Sequence, residues 1–159
     1  MTWRRYCRTS DDCVAAGVDF ARVLRSGDIV LLSGSLGAGK TTFVKGVAKG
    51  LGVGERITSP TFTMVREHRC ASDQGIDTLQ HCDVYRVTSL AEVVDLGLGE
   101  LVEENGVALV EWGELASTVF GRDVLTVDFV LDDDDGRTLD VGGALAPQRR
   151  DALNRWSRP

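Results

Sequence analysis

The sequence predicts a single three-layer α/β domain over residues 1–159, with a mostly parallel sheet and an antiparallel hairpin near its C-terminal end. Three observations carry this expectation. Residues Gly34 to Thr41 read G-S-L-G-A-G-K-T, between the apolar run Ile29 to Leu32 and a segment of helical character, Thr41 to Leu51. That order is strand, phosphate-binding loop, helix, the opening unit of a P-loop NTPase domain. Apolar runs then alternate with helical segments, the pattern of a parallel sheet covered by helices. Near the end, Leu125–Leu131 and Arg137–Val141 flank Asp-Asp-Asp-Asp-Gly, which reads as a hairpin.

Taken in order, Ser10-Asp11-Asp12 reads as a helix start, an N-cap with acids in the first turn. Val14, Phe20, Ala21, Val23 and Leu24 give that helix an apolar side up to Arg25, and Ser26-Gly27-Asp28 ends it. Ile29 to Leu32 is apolar on both faces, as a central parallel strand must be. The loop and its helix follow, and Gly50 and Gly52 stop that helix. Pro60 forces an extended entry to Thr58–Val65, where Phe62, Met64 and alternating threonines predict a strand. Residues 70–77 are a polar turn, Thr78 to Val87 another strand, Ser89 to Leu96 a short helix. Val107 to Val110 is a second short apolar run ending in Glu111, and a last helix spans about Pro147 to Trp156. The four-aspartate run reads as a solvated turn, because nothing organises it for a metal.

Composition narrows the function. The chain has 159 residues, 43% hydrophobic and 26% charged, and a net charge of −6. That balance argues against a protein that grips a nucleic-acid backbone over a broad surface, which needs a basic face. No C-x-x-C pair occurs among Cys7, Cys13, Cys70 and Cys82, so they read as reduced thiols acting as small apolar residues. No apolar run approaches membrane-spanning length and no signal peptide precedes the domain, so the expected location is the cytoplasm, with no membrane partner. All three lysines, Lys40, Lys45 and Lys49, fall in the loop and its helix. The lysine-containing motif by which small GTPases read guanine is therefore missing, and adenine is the expected base.

The motif carries a mechanism. Glycines let backbone N–H groups turn around phosphate oxygens, Lys40 reaches the outer phosphates, and the Thr41 hydroxyl is placed to ligate Mg²⁺. The helix adds its positive dipole end to the same anion. Mg²⁺ needs further hard oxygen ligands. Glu111 ends a buried strand where an acid would meet the metal, and Asp83 lies within His81-Cys82-Asp83-Val84-Tyr85-Arg86. Which acid ligates the metal and which positions the attacking water stays open, as does a solvated or capping role for either. Thr58 to Thr61 is either a strand entry or a segment that senses the γ-phosphate. Trp112 is either a core aromatic or a neighbour of the nucleotide, and Tyr85 and Arg86 are either packing and a surface pair or part of a partner- or phosphate-facing site. His81 reads as a structural histidine sooner than a general base.

In this order, G-S-L-G-A-G-K-T-T-F, S-P-T-F-T-M-V, H-C-D-V-Y-R and V-E-W resemble the TsaE family (also written YjeE), small bacterial ATPases of tRNA threonylcarbamoyladenosine synthesis. The resemblance spans roughly residues 10 to 140. It implies one P-loop domain that binds ATP or ADP with Mg²⁺ and hydrolyses ATP weakly alone. It implies association with a heterodimer of TsaB and TsaD, whose TsaD subunit modifies an adenosine next to the anticodon, so that tRNA is met indirectly, through the complex, and direct contact through Arg86 or another local patch stays open. Carried over by position, Gly34, Ser35, Leu36, Gly37, Ala38, Gly39, Lys40, Thr41 and Thr42 bind the triphosphate. Glu111 and Asp83 match the acids needed for hydrolysis, Trp112 the tryptophan beside the nucleotide, and Ser59 to Thr63 the switch-like loop. Arg137 is a weaker candidate for nucleotide contact, and the region of Thr9 and Ser10 is placed near the adenine. Ser35, Cys82 and Gly113 depart from the residues usual at their positions, each with a local effect.

Two other functions fit the loop. A small-molecule kinase needs an arginine-rich lid, and residues 113–124 hold only Arg122. A nucleotide-gated binding module needs no second acid near the γ-phosphate, which Glu111 and Asp83 argue against.

Overall fold

The computed structural model describes residues 2–58, 65–84, 89–95, 97, 100, 102–111 and 123–159. Among these, seven strands form one sheet: β1 (Trp3–Cys7), β2 (Ile29–Gly34), β3 (Val65–Arg69), β4 (Thr78–Asp83), β5 (Gly106–Glu111), β6 (Leu125–Leu131) and β7 (Arg137–Gly143). Their spatial order is β1-β7-β6-β2-β5-β4-β3. The helices are α1 (Ser10–Ala21), α2 (Lys40–Gly50), α3 (Leu90–Asp95) and α4 (Arg150–Trp156), the last entered through a 3₁₀ turn, Ala146–Arg149.

The sheet is mixed, which corrects the expectation of a mostly parallel one. Its centre is parallel: β2 pairs with β5 and β6, and β4 with β5. Its flanks are antiparallel: β3 with β4, β6 with β7, β7 with β1. Short polar connections cause this for β3–β4 and β6–β7, because a turn such as 132–136 joins only antiparallel neighbours and parallel ones need a crossover; β1 joins β7 without such a connection. The C-terminal hairpin is present as expected.

Every residue of β5 is buried, as are Ile29 to Leu32 of β2, which is why these strands read as unbroken apolar runs. Val30, Leu32, Val107 and Leu109 face one cluster with residues of α1, α2 and α4. Leu31, Ala108 and Val110 alternate with them and are buried outside that cluster. The sheet is thus covered on both faces, as a three-layer arrangement requires.

Local chemistry adjusts several boundaries. The N-cap of α1 is Thr9, one residue before the expected start: its side chain accepts from Asp12 N, and the Asp12 carboxylate accepts from Thr9 N at 3.0 Å. The helix ends at Ala21, four residues short of the expected limit. Ser89 caps α3 as its sequence suggests, accepting from Glu92 N. Strand β4 stops at Asp83, and residues 85–87 of the expected strand lie outside the described residues, as do 59–64 of the strand expected over Thr58–Val65.

Strand β1 was not expected. Its burial alternates, with Trp3, Arg5 and Cys7 facing in. Arg5 occupies an inward position because its guanidinium donates to Asp19 at 2.8 Å and to the Trp156 carbonyl at 3.1 Å. A second inward arginine, Arg149, forms a two-pronged pair with Asp28, one bond at 2.7 Å, and pins the 3₁₀ turn to the start of β2.

Helices α1 and α2 meet backbone to backbone. A Cβ on Gly17 would lie 2.8 Å from Val47 N, and one on Gly46 would lie 2.9 Å from the Val14 carbonyl carbon. Above this crossing, Phe20 contacts Phe43 and Trp156 at ring separations of 5.4 and 5.9 Å, and Phe43 meets Phe129 of β6 at 5.5 Å. Trp156 Nε1 donates to Ala16 O at 2.9 Å, so the indole is satisfied in the core. Gly46→Ala is expected to cost about 2–3 kcal/mol by overpacking, lowering the melting temperature by roughly 5–10 °C. A thermal melt by circular dichroism checks this, and an unchanged midpoint would overturn the close approach.

Candidate functional site

The carboxyl ends of β2, β4 and β5 meet the N-terminus of α2 at a cleft of about 400 Å³. The turn between β2 and α2 closes on an Ala38 N to Ser35 O bond of 3.1 Å, and the helix begins with Phe43 N on Gly39 O at 2.9 Å. Gly39, the N-cap, sits at φ 103°, where a side chain would be strained. A Cβ there would also lie 3.0 Å from Arg137 Nη1. With no capping side chain, the first amides of α2 face the cleft, a ready anion site.

Lys40 is buried and folds back over the loop, its ammonium donating to the carbonyls of Gly34 at 2.6 Å and Ser35 at 3.2 Å. Burial lowers its pKa, and the charges of Glu111 and Asp83 push it back up. The acids are neighbours by register: Asp83 pairs with Glu111 across β4 and β5, and Glu111 pairs with Leu32 of β2.

Glu111 is only 3% exposed. Its Oε1 accepts from the Thr41 hydroxyl at 2.7 Å and lies 3.0 Å from His81 Nε2, which is itself wholly buried. A buried carboxylate needs such donors. The other ring nitrogen, His81 Nδ1, has no partner among the described residues. His81 was read from the sequence as structural; its placement on Glu111 makes it part of the site's frame. Periodicity on β4 alone could not show this, because it depends on the β4–β5 register.

The structure brings most of the expected residues to the cleft. Leu36, Gly37 and Gly39 line it from the loop, Lys40, Thr41 and Thr42 from α2, and Asp83, Glu111 and Arg137 from the strands. Ser10 adds the edge formed by α1. Gly34 and Ser35 act through the carbonyls that hold Lys40, and Ala38 is wholly buried in the core. Arg137 opens β7 with Nη2 donating to Asp135 O at 3.4 Å, and its buried Nε has no partner among the described residues. Trp112, Tyr85, Arg86, the 59–63 loop and the 113–122 stretch lie outside the described residues. The sequence did not reveal that Cys13 touches this site: its Sγ lies 3.4 Å from a Cβ built on Gly39. Its place in the first turn of a helix that begins at the cleft was the available signal.

Thr41, Asp83 and Glu111 offer a hydroxyl and two carboxylates, all hard oxygen donors. Among the described residues no three His, Cys, Asp or Glu side chains gather as a metal cluster. Such a set fits a cation that takes its remaining ligands from phosphate and water. No helix of the described residues is long and apolar enough to cross a membrane.

Comparison with known proteins identifies the family. The family model described as threonylcarbamoyl adenosine biosynthesis protein TsaE matches residues 7–139. The chain is 40% identical over 134 residues to a tRNA threonylcarbamoyladenosine biosynthesis protein TsaE of Treponema pallidum, covering 84% of this chain and 96% of that one. It is 41% identical over 119 residues to the protein of that name from Bacillus subtilis, covering 75% and 72%. The crystal structure of Bacillus subtilis YdiB superposes with a TM-score of 0.71 at 32% identity, over 99% of this chain and 94% of that one. The chain belongs to the TsaE family of tRNA threonylcarbamoyladenosine biosynthesis proteins.

Proposed function

We propose that this protein is a Mg²⁺-dependent ATPase, slow alone, that works in the cytoplasm with a TsaB–TsaD pair to sustain threonylcarbamoyladenosine modification of tRNA. The observation that carries this reading is the hydrogen-bonded set Thr41–Glu111–His81 beside a glycine loop and an ammonium, within one cleft. A plain binding module has no use for a buried acid at that place. The family's role in threonylcarbamoyladenosine biosynthesis supplies the biological setting.

Each side chain has a task in this reading. The loop amides and the α2 N-terminus receive the phosphates of ATP or ADP. Lys40 exchanges its two carbonyl partners for β- and γ-phosphate oxygens, and burial strengthens that contact. Thr41 with one of the two acids, Glu111 or Asp83, would hold Mg²⁺, which supplies charge neutralisation on the phosphates. The acid that does not ligate orients the attacking water. His81 holds Glu111 in place, and Thr42 and Arg137 add donors to the phosphate wall. TsaB–TsaD meets the protein near this cleft and completes the constellation, which makes turnover partner-dependent. tRNA is reached through that complex.

Glu111→Ala is expected to lower hydrolysis by at least about 10²-fold with a small change in ADP affinity, since it removes a group used in the reaction. The measurement is phosphate release from Mg-ATP by the full chain, with and without TsaB–TsaD. Retained hydrolysis in the variant would return the binding-module reading, and a phosphorylated metabolite in place of free phosphate would return the kinase. Lys40→Ala is expected to weaken nucleotide binding by about 10- to 100-fold, the loss of charge-assisted bonds. Titration calorimetry with Mg-ADP decides it, and an unaltered Kd would move the phosphate site elsewhere.

A further inference from the structure

Four arginines share one face at the end of the sheet away from the cleft. Arg22 and Arg25 follow the end of α1, and Arg150 and Arg155 belong to α4; all four are exposed. They line two adjoining grooves of about 300 and 470 Å³, which meet at Ala152 and Arg155. Among the described residues, none of these four guanidinium groups makes a hydrogen bond or an ion pair. The contrast is with Arg4, Arg5 and Arg149, which pair with Asp140, Asp19 and Asp28.

The charge of this face is not offset locally. Two acids line the grooves, Asp19 and Asp151. Asp19 is committed to Arg5 at 2.8 Å, and Asp28, buried beneath the face, to Arg149. Asp151 alone is left to answer four cations. The turn that carries Asp73 bounds the face on one side, docked on the end of α1 by Gln74, whose Nε2 donates to Ala21 O at 2.9 Å and Leu24 O at 3.2 Å. In a chain of net charge −6 the face is a local inversion of sign. Helix dipoles account for half of it. Arg22 caps the end of α1 and Arg155 stands in the last turn of α4, where cations are favoured. Arg150 opens α4, where a cation is disfavoured, and Arg25 lies beyond either helix. Helix stability does not explain those two.

We propose that this face binds the phosphate backbone of RNA. A guanidinium matches phosphate oxygens two bonds at a time and is weakly hydrated, so it exchanges water for phosphate readily. Four of them spread over two grooves exceed what one small anion uses and suit a chain of phosphates. The net negative charge of the molecule steers an approaching polyanion to this end. The choice of RNA among polyanions rests on the proposed part in tRNA modification; the unpaired arginines themselves do not.

Position separates this surface from the cleft. The Arg149–Asp28 pair fixes the face to the start of β2, and the phosphate loop leaves the other end of that six-residue strand, about 20 Å away. RNA on the arginines and a nucleotide in the cleft therefore do not compete. Backbone contacts carry no base information, so the face holds RNA without choosing its sequence.

The test is fluorescence anisotropy of a labelled tRNA transcript titrated with the full-length chain over a series of salt concentrations. The expected Kd is about 10⁻⁴ to 10⁻⁶ M near physiological salt, with log K falling against log salt at a slope of about −3 for four phosphate contacts. A second tRNA of unrelated sequence is expected to compete equally. Arg25→Ala and Arg155→Ala, one on each side of the shared groove, are each expected to weaken binding about five- to tenfold and to reduce the slope by about 1. Both side chains are exposed, so melting temperature and phosphate release from Mg-ATP are expected to stay at wild-type values. Lys45→Ala, on the exposed side of α2, is expected to bind RNA as the wild type does. RNA binding that survives in both arginine variants overturns the face as its site. Binding of a TsaB–TsaD pair that weakens in these variants, with no binding of RNA, overturns RNA as the occupant in favour of an acidic protein surface. Absence of both kinds of binding overturns the surface altogether. A wild type that binds RNA through these arginines but releases no phosphate overturns the ATPase reading and leaves this one standing.

Discussion

One buried carboxylate holds the functional end of this molecule together. Glu111 closes the central strand β5 at 3% exposure, where an ionised acid is tolerated only if donors meet it. Thr41 brings α2 to it and His81 brings β4, so three elements are referred to a single oxygen. The parallel register of β2, β5 and β4 delivers their carboxyl ends together and sets Asp83 beside Glu111. A shift of either ladder by one residue would turn Glu111 to the other face of the sheet, strand the Thr41 hydroxyl and leave both nitrogens of a wholly buried histidine without partners. The site and the sheet register are therefore one constraint.

That constraint needs α2 to enter at a fixed height and angle, which the α1–α2 crossing supplies. Gly17 and Gly46 let the two backbones touch, and the Phe20–Phe43–Phe129 contacts seat the pair on β6. Glycine is a weak helix former. The role of these two is spatial, since a methyl group at either one meets main chain, which cannot yield as a side-chain tip can. The cost in helix propensity, about 1 kcal/mol per glycine, is accepted for a geometry that larger residues exclude.

What the sequence made legible follows from how local each signal is. The phosphate loop, Thr41 and the acid after the β5 run are encoded within a few residues, and all three meet in the cleft. The central strands were visible because burial on both faces leaves an unbroken apolar run. The edge strands were not: β1 alternates Trp3, Arg5 and Cys7 inward, and β3 reads V-R-E-H-R. An inward arginine is legible only once Asp19 and the Trp156 carbonyl are known to await it. The mixed sheet was missed in part for the same reason: the β6–β7 hairpin was legible, but β1 and β3, which extend the two antiparallel flanks, were not. Arg137 was reached through family resemblance and not through pattern.

The two walls of the cleft are built to different standards. One comprises β2, β5, β4 and the start of α2, held by parallel ladders buried on both faces and by the Glu111 contacts. The other comprises the first turn of α1 and the β1–β7 edge. It is secured by the exposed Thr9–Asp12 capping box, by the mostly exposed Arg4–Asp140 pair and by Arg137 resting on Gly39. Exposed pairs of this kind contribute little to global stability, and local opening starts where few buried contacts resist it. In the proposed ATPase reaction the first wall has to stay rigid, because its atoms would meet the reacting phosphate. The second wall, with fewer buried contacts to hold it, is the one that opens first.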